Sequence, residues 1–247
     1  MKLFQYLLVI AASSALLSCS KRYAVTGTSA SQERINTDSL HLYDSATHYF
    51  IAPYKAKLDA QMNSVIGSTL TTLTKERPES TLGKLMTEAS VWYASAHYDK
   101  PIDLCVMNYG GIRIPSIQAG NITLGKVYEL MPFDNQLEVL EISGQTVYAL
   151  LQLVAANDGW PLYGVTMVID KGTATGIMIG DQPLELNKTY TLATSDYIAN
   201  GGDKAEMLST YTKRTGFNYK LRDAITDYIK YTGELNLAKD GKVTVKP

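Results

Sequence analysis

The sequence predicts an α/β or α+β fold: a single mixed-layer domain over residues 46–247. Three observations predict it. Short apolar or β-branched runs alternate with segments of helical period, and Gly, Pro and Asn clusters separate them. No repeat or internal linker forces a division into two domains.

The opening MKLFQYLLVIAASSALLSCS carries one Lys near its start, an apolar core from Phe4 to Leu17 and a small-residue site ending in Cys19. It is too short for a membrane span and reads as an export signal over residues 1–18. Leu16-Leu17-Ser18-Cys19 resembles the bacterial lipobox. That likeness implies lipid on Cys19, which would tether the chain to a bilayer without spanning it, at the periplasmic side of a bacterial membrane or at the outer membrane. Ordinary secretion or an uncleaved anchor is the alternative. Residues 19–45, polar and without a steady period, read as the lipidated Cys and its tether.

From Tyr54 the pattern turns helical: Tyr54, Leu58, Met62, Val65 and Ile66 predict a helix from about Pro53 to Ile66, stopped by Gly67. Ser68 to Thr74 reads as an extended, β-branched run. Ser80-Thr81 then offers hydroxyls to cap a second helix, with Leu82, Leu85, Met86, Ala89, Tyr93 and Ala96 on its buried stripe. Ile102 to Met107 is a buried strand, broken by Gly110-Gly111. A short turn or helix at Leu124 to Leu130 follows. Leu137, Val139 and Ile142 then belong to a strand that Ser143-Gly144 turns into a helix bearing Val147, Leu150, Leu151 and Val154. Gly164 to Ile169 and Ala174 to Ile179 flank Lys171-Gly172 as a hairpin, and Thr189 to Thr194 is a further strand. Leu221, Ala224, Ile225, Tyr228 and Ile229 predict the last helix, ending at Gly233.

Composition excludes several classes. Lys and Arg total 23 against 24 for Asp and Glu, with no basic tract, so no nucleic-acid partner is expected. With Cys19 committed to lipid, Cys105 cannot close a disulfide within the chain, and two cysteines cannot form a thiolate zinc site. In the run IDLCVM, Cys105 reads as a small buried hydrophobe.

The candidate site residues fall at the breaks. After the strand at Ile102 to Met107, Asn108 and Arg113 flank the Gly pair, whose backbone can approach a ligand closely or take positive φ. Arg113 offers a planar fork of donors for ring nitrogens, ribose oxygens or carboxylates. A turn held by Asn108 beside a surface Arg113 is the competing reading. At the next break stand Phe133, Asp134 and Asn135, and after Thr194 come Tyr197 and Asn200-Gly201-Gly202-Asp203. If these loops converge, Phe133 and Tyr197 can hold a flat heterocycle between their faces while Asp203 accepts from hydroxyls or an amine. Otherwise either ring is simply core. Neither break has phosphate-loop spacing.

Several segments occur in a family order: Thr81-Leu82-Gly83-Lys84-Leu85, Asn108-Tyr109-Gly110-Gly111-Ile112-Arg113, Gly120-Asn121-Ile122-Thr123, Pro132-Phe133-Asp134-Asn135, Ser143-Gly144 and Asp196-Tyr197-Ile198-Ala199-Asn200-Gly201-Gly202-Asp203. Over roughly Tyr49 to Gly233 the chain resembles the C-terminal domain of the 5′-nucleotidase family. The resemblance implies that this domain grips the nucleoside, while a separate N-terminal metallophosphatase domain holds two metals and hydrolyses the ester. It implies that Phe133 and Tyr197 sandwich the base, that Asn108 and Arg113 contact the nucleoside, and that Asp203 holds ribose hydroxyls. Asn135 matches a polar position beside the first ring, and Arg77 stands near the family's upstream arginine.

The sequence departs from the family in its metal ligands. His41, His48 and His97 lie in tether or helical segments outside any metallophosphatase motif, and Ser195-Asp196 lacks a nearby histidine. The expectation is therefore a chain with no catalytic residue, metal or cofactor of its own. It would be a nucleoside- or nucleotide-recognising half that orients substrate for a separately encoded metallophosphatase chain carrying a divalent metal pair. A stand-alone nucleoside- or nucleotide-binding lipoprotein, or a structural lipoprotein that has lost the site, are the alternatives.

Overall fold

The computed structural model describes residues 24, 25, 27–32 and 45–246. The export signal, Cys19, His41 and most of the tether lie outside the described residues. The chain divides into two units, residues 1–50 and 51–247. In the first, residues 24, 25 and 27–32 have neither helix nor strand.

The first described helix, α1 (Ser45–Met62), begins earlier and ends sooner than the sequence predicts, and none of its residues is buried. Asn63 and Ser64 close its last turn by donating to the carbonyls of Asp59 and Gln61. Val65 and Ile66 then leave it for β1 (Val65–Thr69), as β-branched residues favour. Gly67 lies inside that strand and is not a helix stop. A Cβ there would stand 2.6 Å from Ile229 Cγ2 and 2.8 Å from the Gly233 carbonyl, so the position is a close contact with the last helix. The predicted run Ser68 to Thr74 is two strands, since β2 (Leu73–Thr74) follows a bend.

The second helix, α2 (Thr81–His97), starts where its hydroxyls suggest, with the Ser80 side chain accepting from the Gly83 N–H at 2.9 Å. The remaining elements are β3 (Leu104–Val106), β4 (Ser116–Ile117), β5 (Gly120–Thr123), α3 (Leu124–Leu130), β6 (Gln136–Ser143), α4 (Gly144–Ala156), β7 (Leu162–Tyr163), β8 (Val165–Asp170), β9 (Thr173–Ile179), β10 (Gln182–Pro183), β11 (Thr189–Ser195), α5 (Asp196–Ala199), β12 (Lys213–Lys220), α6 (Leu221–Thr232), β13 (Glu234–Leu235) and β14 (Val243–Val245). The β8–β9 hairpin turns at Lys171-Gly172, both at positive φ, as its twist requires.

The body is organised around a five-stranded sheet of order β12-β6-β11-β3-β7. Alternate side chains point to opposite faces of a strand. On β6, Leu137 and Val139 join one core with Leu82, Leu85 and Met86 of α2 and Leu221, Ile225 and Ile229 of α6. Leu140 and Ile142 join the other, with Val147, Leu150, Leu151 and Val154 of α4 and Val165, Met167 and Ala174 of the hairpin. Each large apolar side chain so buried contributes roughly 1.5–3 kcal/mol. The sequence expectation of a mixed-layer α/β domain is met.

Cys105 is fully buried in the first core, and burial pushes its thiol pKa upward, away from thiolate chemistry.

Candidate functional site

Strand register places the candidate residues. β3 runs parallel to β11, pairing Cys105 with Ala193, whereas β6 is antiparallel to β11, pairing Leu137 with Ser195. The exits of β3 and β11 and the entrance of β6 therefore share one end of the sheet. Asn108 and Arg113 follow β3, Tyr197 and Asp203 follow β11, and Phe133 and Asn135 precede β6. Loops at the carboxyl ends of strands are a favoured place for ligands in α/β folds.

Side-chain contacts link the six in separate groups: Asn108 and Tyr197 with Asp203, Arg113 with Phe133, and Asn135 with Asp196 beside Tyr197. Asn108 Nδ2 donates to Asp203 Oδ2 at 2.7 Å, and the Tyr197 hydroxyl donates to Asp203 Oδ1 at 2.9 Å. That hydrogen bond raises the Tyr197 pKa, since ionising the phenol would set two anions together. Asn135 Nδ2 donates to Asp196 Oδ1 at 2.9 Å, tying the loop of Phe133 to the residue beside Tyr197. The Arg113 guanidinium lies 5.4 Å from the centroid of the Phe133 ring, and its Nη1 makes a long contact of 3.4 Å to the Gly110 carbonyl. Phe133 and Tyr197 are 40% and 44% exposed, so both rings keep open area for a ligand and neither is core.

Local backbone explains this placement. Ser195 caps the short helix α5 by accepting from the Ile198 N–H at 3.2 Å, so it serves as a structural cap. Gly201 takes φ 89° and Asp203 φ 52°, a left-handed conformation that Asp tolerates better than most residues. A Cβ on Gly202 would meet the Tyr197 ring at 2.5 Å, so this glycine makes room for the aromatic. The Gly110-Gly111 pair behaves otherwise than its sequence suggests. Both lie in a 3₁₀ turn, Tyr109–Gly111, and neither is at positive φ. Gly111 instead fits beneath Asn108, whose Oδ1 would be 3.0 Å from an added Cβ.

Several supporting residues escaped the sequence reading. Arg214 of β12 grips Glu138 through Nε and Nη2, at 2.7 and 3.0 Å, while Nη1 donates to Asn200 Oδ1 at 2.9 Å, steadying the loop between Tyr197 and Asp203. Arg222 reaches the carboxylate of Asp134 and the carbonyl of Phe133. Their sequence neighbourhoods look like ordinary charged surface; the register of β12 against β6 sets Arg214 opposite Leu140, and the Leu221 N–H donating to the Asn135 carbonyl brings the start of α6 to the Phe133 loop.

Cations gather around Tyr109, the residue after Asn108. The ring of Tyr109 has Arg77 Cζ at 4.0 Å and Lys75 Nζ at 4.2 Å from its centroid. Lys75 also donates to the Ile112 carbonyl at 2.7 Å. Burial, then repulsion from Arg113 and Arg77, lowers the Lys75 pKa. A pocket of about 460 Å³ opens here, lined by Arg77, Tyr109, Gly110, Trp160, Asp203 and Lys204. A second groove of about 470 Å³ runs beside the start of α2, but its Lys84 is already paired with Asp240 and Glu88.

Among the described residues no group of three or more His, Cys, Asp and Glu side chains is placed to hold a metal ion. His97 stacks on Tyr93 with 4.0 Å between ring centroids, and His48 stands edge-on to Tyr49. Also among the described residues, no helix is long and apolar enough to cross a membrane.

Residues 60–210 match the family model for the 5′-nucleotidase, C-terminal domain. A 5′-nucleotidase of Vibrio parahaemolyticus is 29% identical over 197 residues, covering 76% of this chain and 34% of that protein. Protein UshA of Yersinia enterocolitica is 36% identical over 172 residues, covering 66% of this chain and 30% of its own length. The crystal structure of a 5′-nucleotidase precursor from Thermus thermophilus superposes with a TM-score of 0.74 at 27% identity, covering 83% of this chain and 44% of that one. The chain spans less than half the length of each. On the family match and the shared fold, this chain belongs to the 5′-nucleotidase C-terminal domain family.

Proposed function

We propose that this chain is the nucleoside- and nucleotide-recognising half of a split 5′-nucleotidase. In this reading Phe133 and Tyr197 stack on the base, Asn108 and Arg113 make polar contacts to the nucleoside with Asn135 beside the first ring, and Asp203 accepts from ribose hydroxyls. The phosphate ester projects toward a separately encoded metallophosphatase chain, whose divalent metal pair would polarise the attacking water. This chain contributes by holding the ester in one orientation, which removes part of the entropic barrier of the reaction.

The observation that carries the reading is the clamp on Asp203. A carboxylate held by two neutral donors, Asn108 and Tyr197, at the same end of the sheet as two half-exposed rings is suited to a polyhydroxylated ligand with a flat, uncharged ring. The gathering of Lys75, Arg77 and Arg113 favours a nucleotide over a bare nucleoside. We further propose export and lipid attachment through Cys19, supported by the sequence alone.

A second reading uses the same clamp without chemistry, as a stand-alone nucleoside- or nucleotide-binding lipoprotein. One experiment separates the two. The purified protein is titrated with nucleosides and nucleoside monophosphates, alone and with a candidate metallophosphatase chain and divalent metal. The split-enzyme reading expects binding by this chain and faster hydrolysis by the mixture than by the metallophosphatase alone. Tight binding with no acceleration supports the second reading, while robust metal-dependent hydrolysis by this chain at high purity defeats both.

A further inference from the structure

A stacking ring is useful only if its face is held at a fixed angle, and the loop that bears Phe133 is short and exposed. Asn135 ties one side of that loop to Asp196. The other side rests on Arg222, in the first turn of α6. Arg222 is only 7% exposed. Its Nη2 donates to Asp134 Oδ1 at 2.8 Å, and its Nη1 makes a long contact of 3.4 Å to the carbonyl oxygen of Phe133 itself. The guanidinium plane is held by the ring of Tyr128, 4.2 Å from its centroid. Lys220 also reaches Asp134, at 3.0 Å, and supplies charge, but the fork that includes the Phe133 carbonyl comes from Arg222.

Stability alone does not account for this residue. A cation in the first turn of a helix opposes the helix dipole. Burying a guanidinium is unfavourable unless every donor is matched, and here Nε is buried without a hydrogen-bond partner among the described residues. An apolar side chain would fill the space without either penalty. What only a planar, multi-donor cation can do is join Tyr128, Asp134 and the Phe133 backbone in one rigid arrangement.

Resting on the nucleoside reading above, we propose that Arg222 is a positioning residue that sets the aim of the Phe133 ring. It touches no ligand and acts through Phe133.

The test uses the protein with 4-fluorophenylalanine in place of phenylalanine, the Phe133 resonance being assigned by its loss in Phe133→Ala. Arg222→Lys keeps the charge and removes the planar fork. It is expected to shift or broaden the Phe133 fluorine resonance while leaving that of Phe217 in place, and to weaken nucleoside binding about tenfold in the parent background. In the Phe133→Ala background the same change should cost less than about twofold, because the residue it acts through is gone. Asp134→Asn, an exposed change that spares the helix, should disturb the same resonance and serves if Arg222→Lys folds poorly. An unmoved Phe133 resonance in both variants, or equal losses of affinity in the two backgrounds, overturns the proposal. If the parent protein binds no nucleoside, the functional reading fails, and the fluorine spectra still decide whether Arg222 holds the ring.

Discussion

Two carboxylates, Glu141 near one end of β6 and Asp203 on the loops gathered at the other, each accept a tyrosine hydroxyl, and they are built for different purposes. At one end Glu141, 9% exposed, accepts from the Tyr98 hydroxyl and from Lys100 Nζ, both at 2.7 Å, with Lys213 at 3.9 Å. Its charge is answered by ammonium groups, and the cluster pins α2 to the sheet. At the other end Asp203 accepts from Tyr197 and Asn108, which carry no charge. It stands on an exposed, left-handed loop beside the half-exposed ring of Tyr197. A neutralised carboxylate on a strand is a fastening; one held in place but left un-neutralised is available to something not yet bound.

The largest expected effect separates the ends by affinity. Phe133→Ala or Tyr197→Ala should weaken nucleoside binding about ten- to a hundredfold, from the roughly 1–3 kcal/mol that base–aromatic stacking supplies. The circular dichroism spectrum should stay as it is. Unchanged affinity in both variants would mean that the rings at this end do not stack on a base.

Next comes Asp203→Asn, which keeps size and removes charge. Ribosides should bind about tenfold more weakly, the value of one charged hydrogen bond, while a free base, which has no ribose hydroxyl, should bind as before. An equal loss for both would place Asp203 outside the ribose contact.

At the opposite end Glu141→Gln should lower the melting temperature and leave nucleoside affinity within about twofold, because distant sites act independently. A large loss of affinity would erase the distinction between the ends.

The smallest effect is in the acid limb of stability. Hydrogen bonds from Lys100 and Tyr98 hold the Glu141 pKa below its ordinary value of 4.5. A pKa depressed by folding adds stability above the unfolded value, and that contribution is lost as pH falls from about 4.5 through the lower folded value. Melting temperatures recorded downward from pH 5 should therefore fall less steeply in Glu141→Gln than in the parent. Asp134, lowered by Lys220 and then Arg222, titrates in the same sense and leaves a residual slope in both proteins.

The sequence made the layers legible because their signals are local. Ser80 before an apolar stripe, Lys171-Gly172 between β-branched runs, and the i, i+3, i+4 spacing of Leu221, Ala224 and Ile225 each report on neighbours a few residues away. Gly67 looked like a helix stop because its real constraint, Ile229, is remote in the chain. The edge strand β12, with its Lys and Arg residues, lacked an apolar run to announce it. At the site, the sequence displayed the rings and the carboxylate through their ordered motifs. It hid Arg214, Arg222 and the cation cluster at Tyr109, whose meaning depends on register and on which loops share an end of the sheet.

The most direct measurement is isothermal titration of the purified protein with a nucleoside and its free base, run beside the Phe133→Ala/Tyr197→Ala double variant. The account predicts saturable one-to-one binding, tighter for the nucleoside than for the base and lost in the double variant. No saturable binding by the parent, or the same isotherm from the double variant, would contradict it.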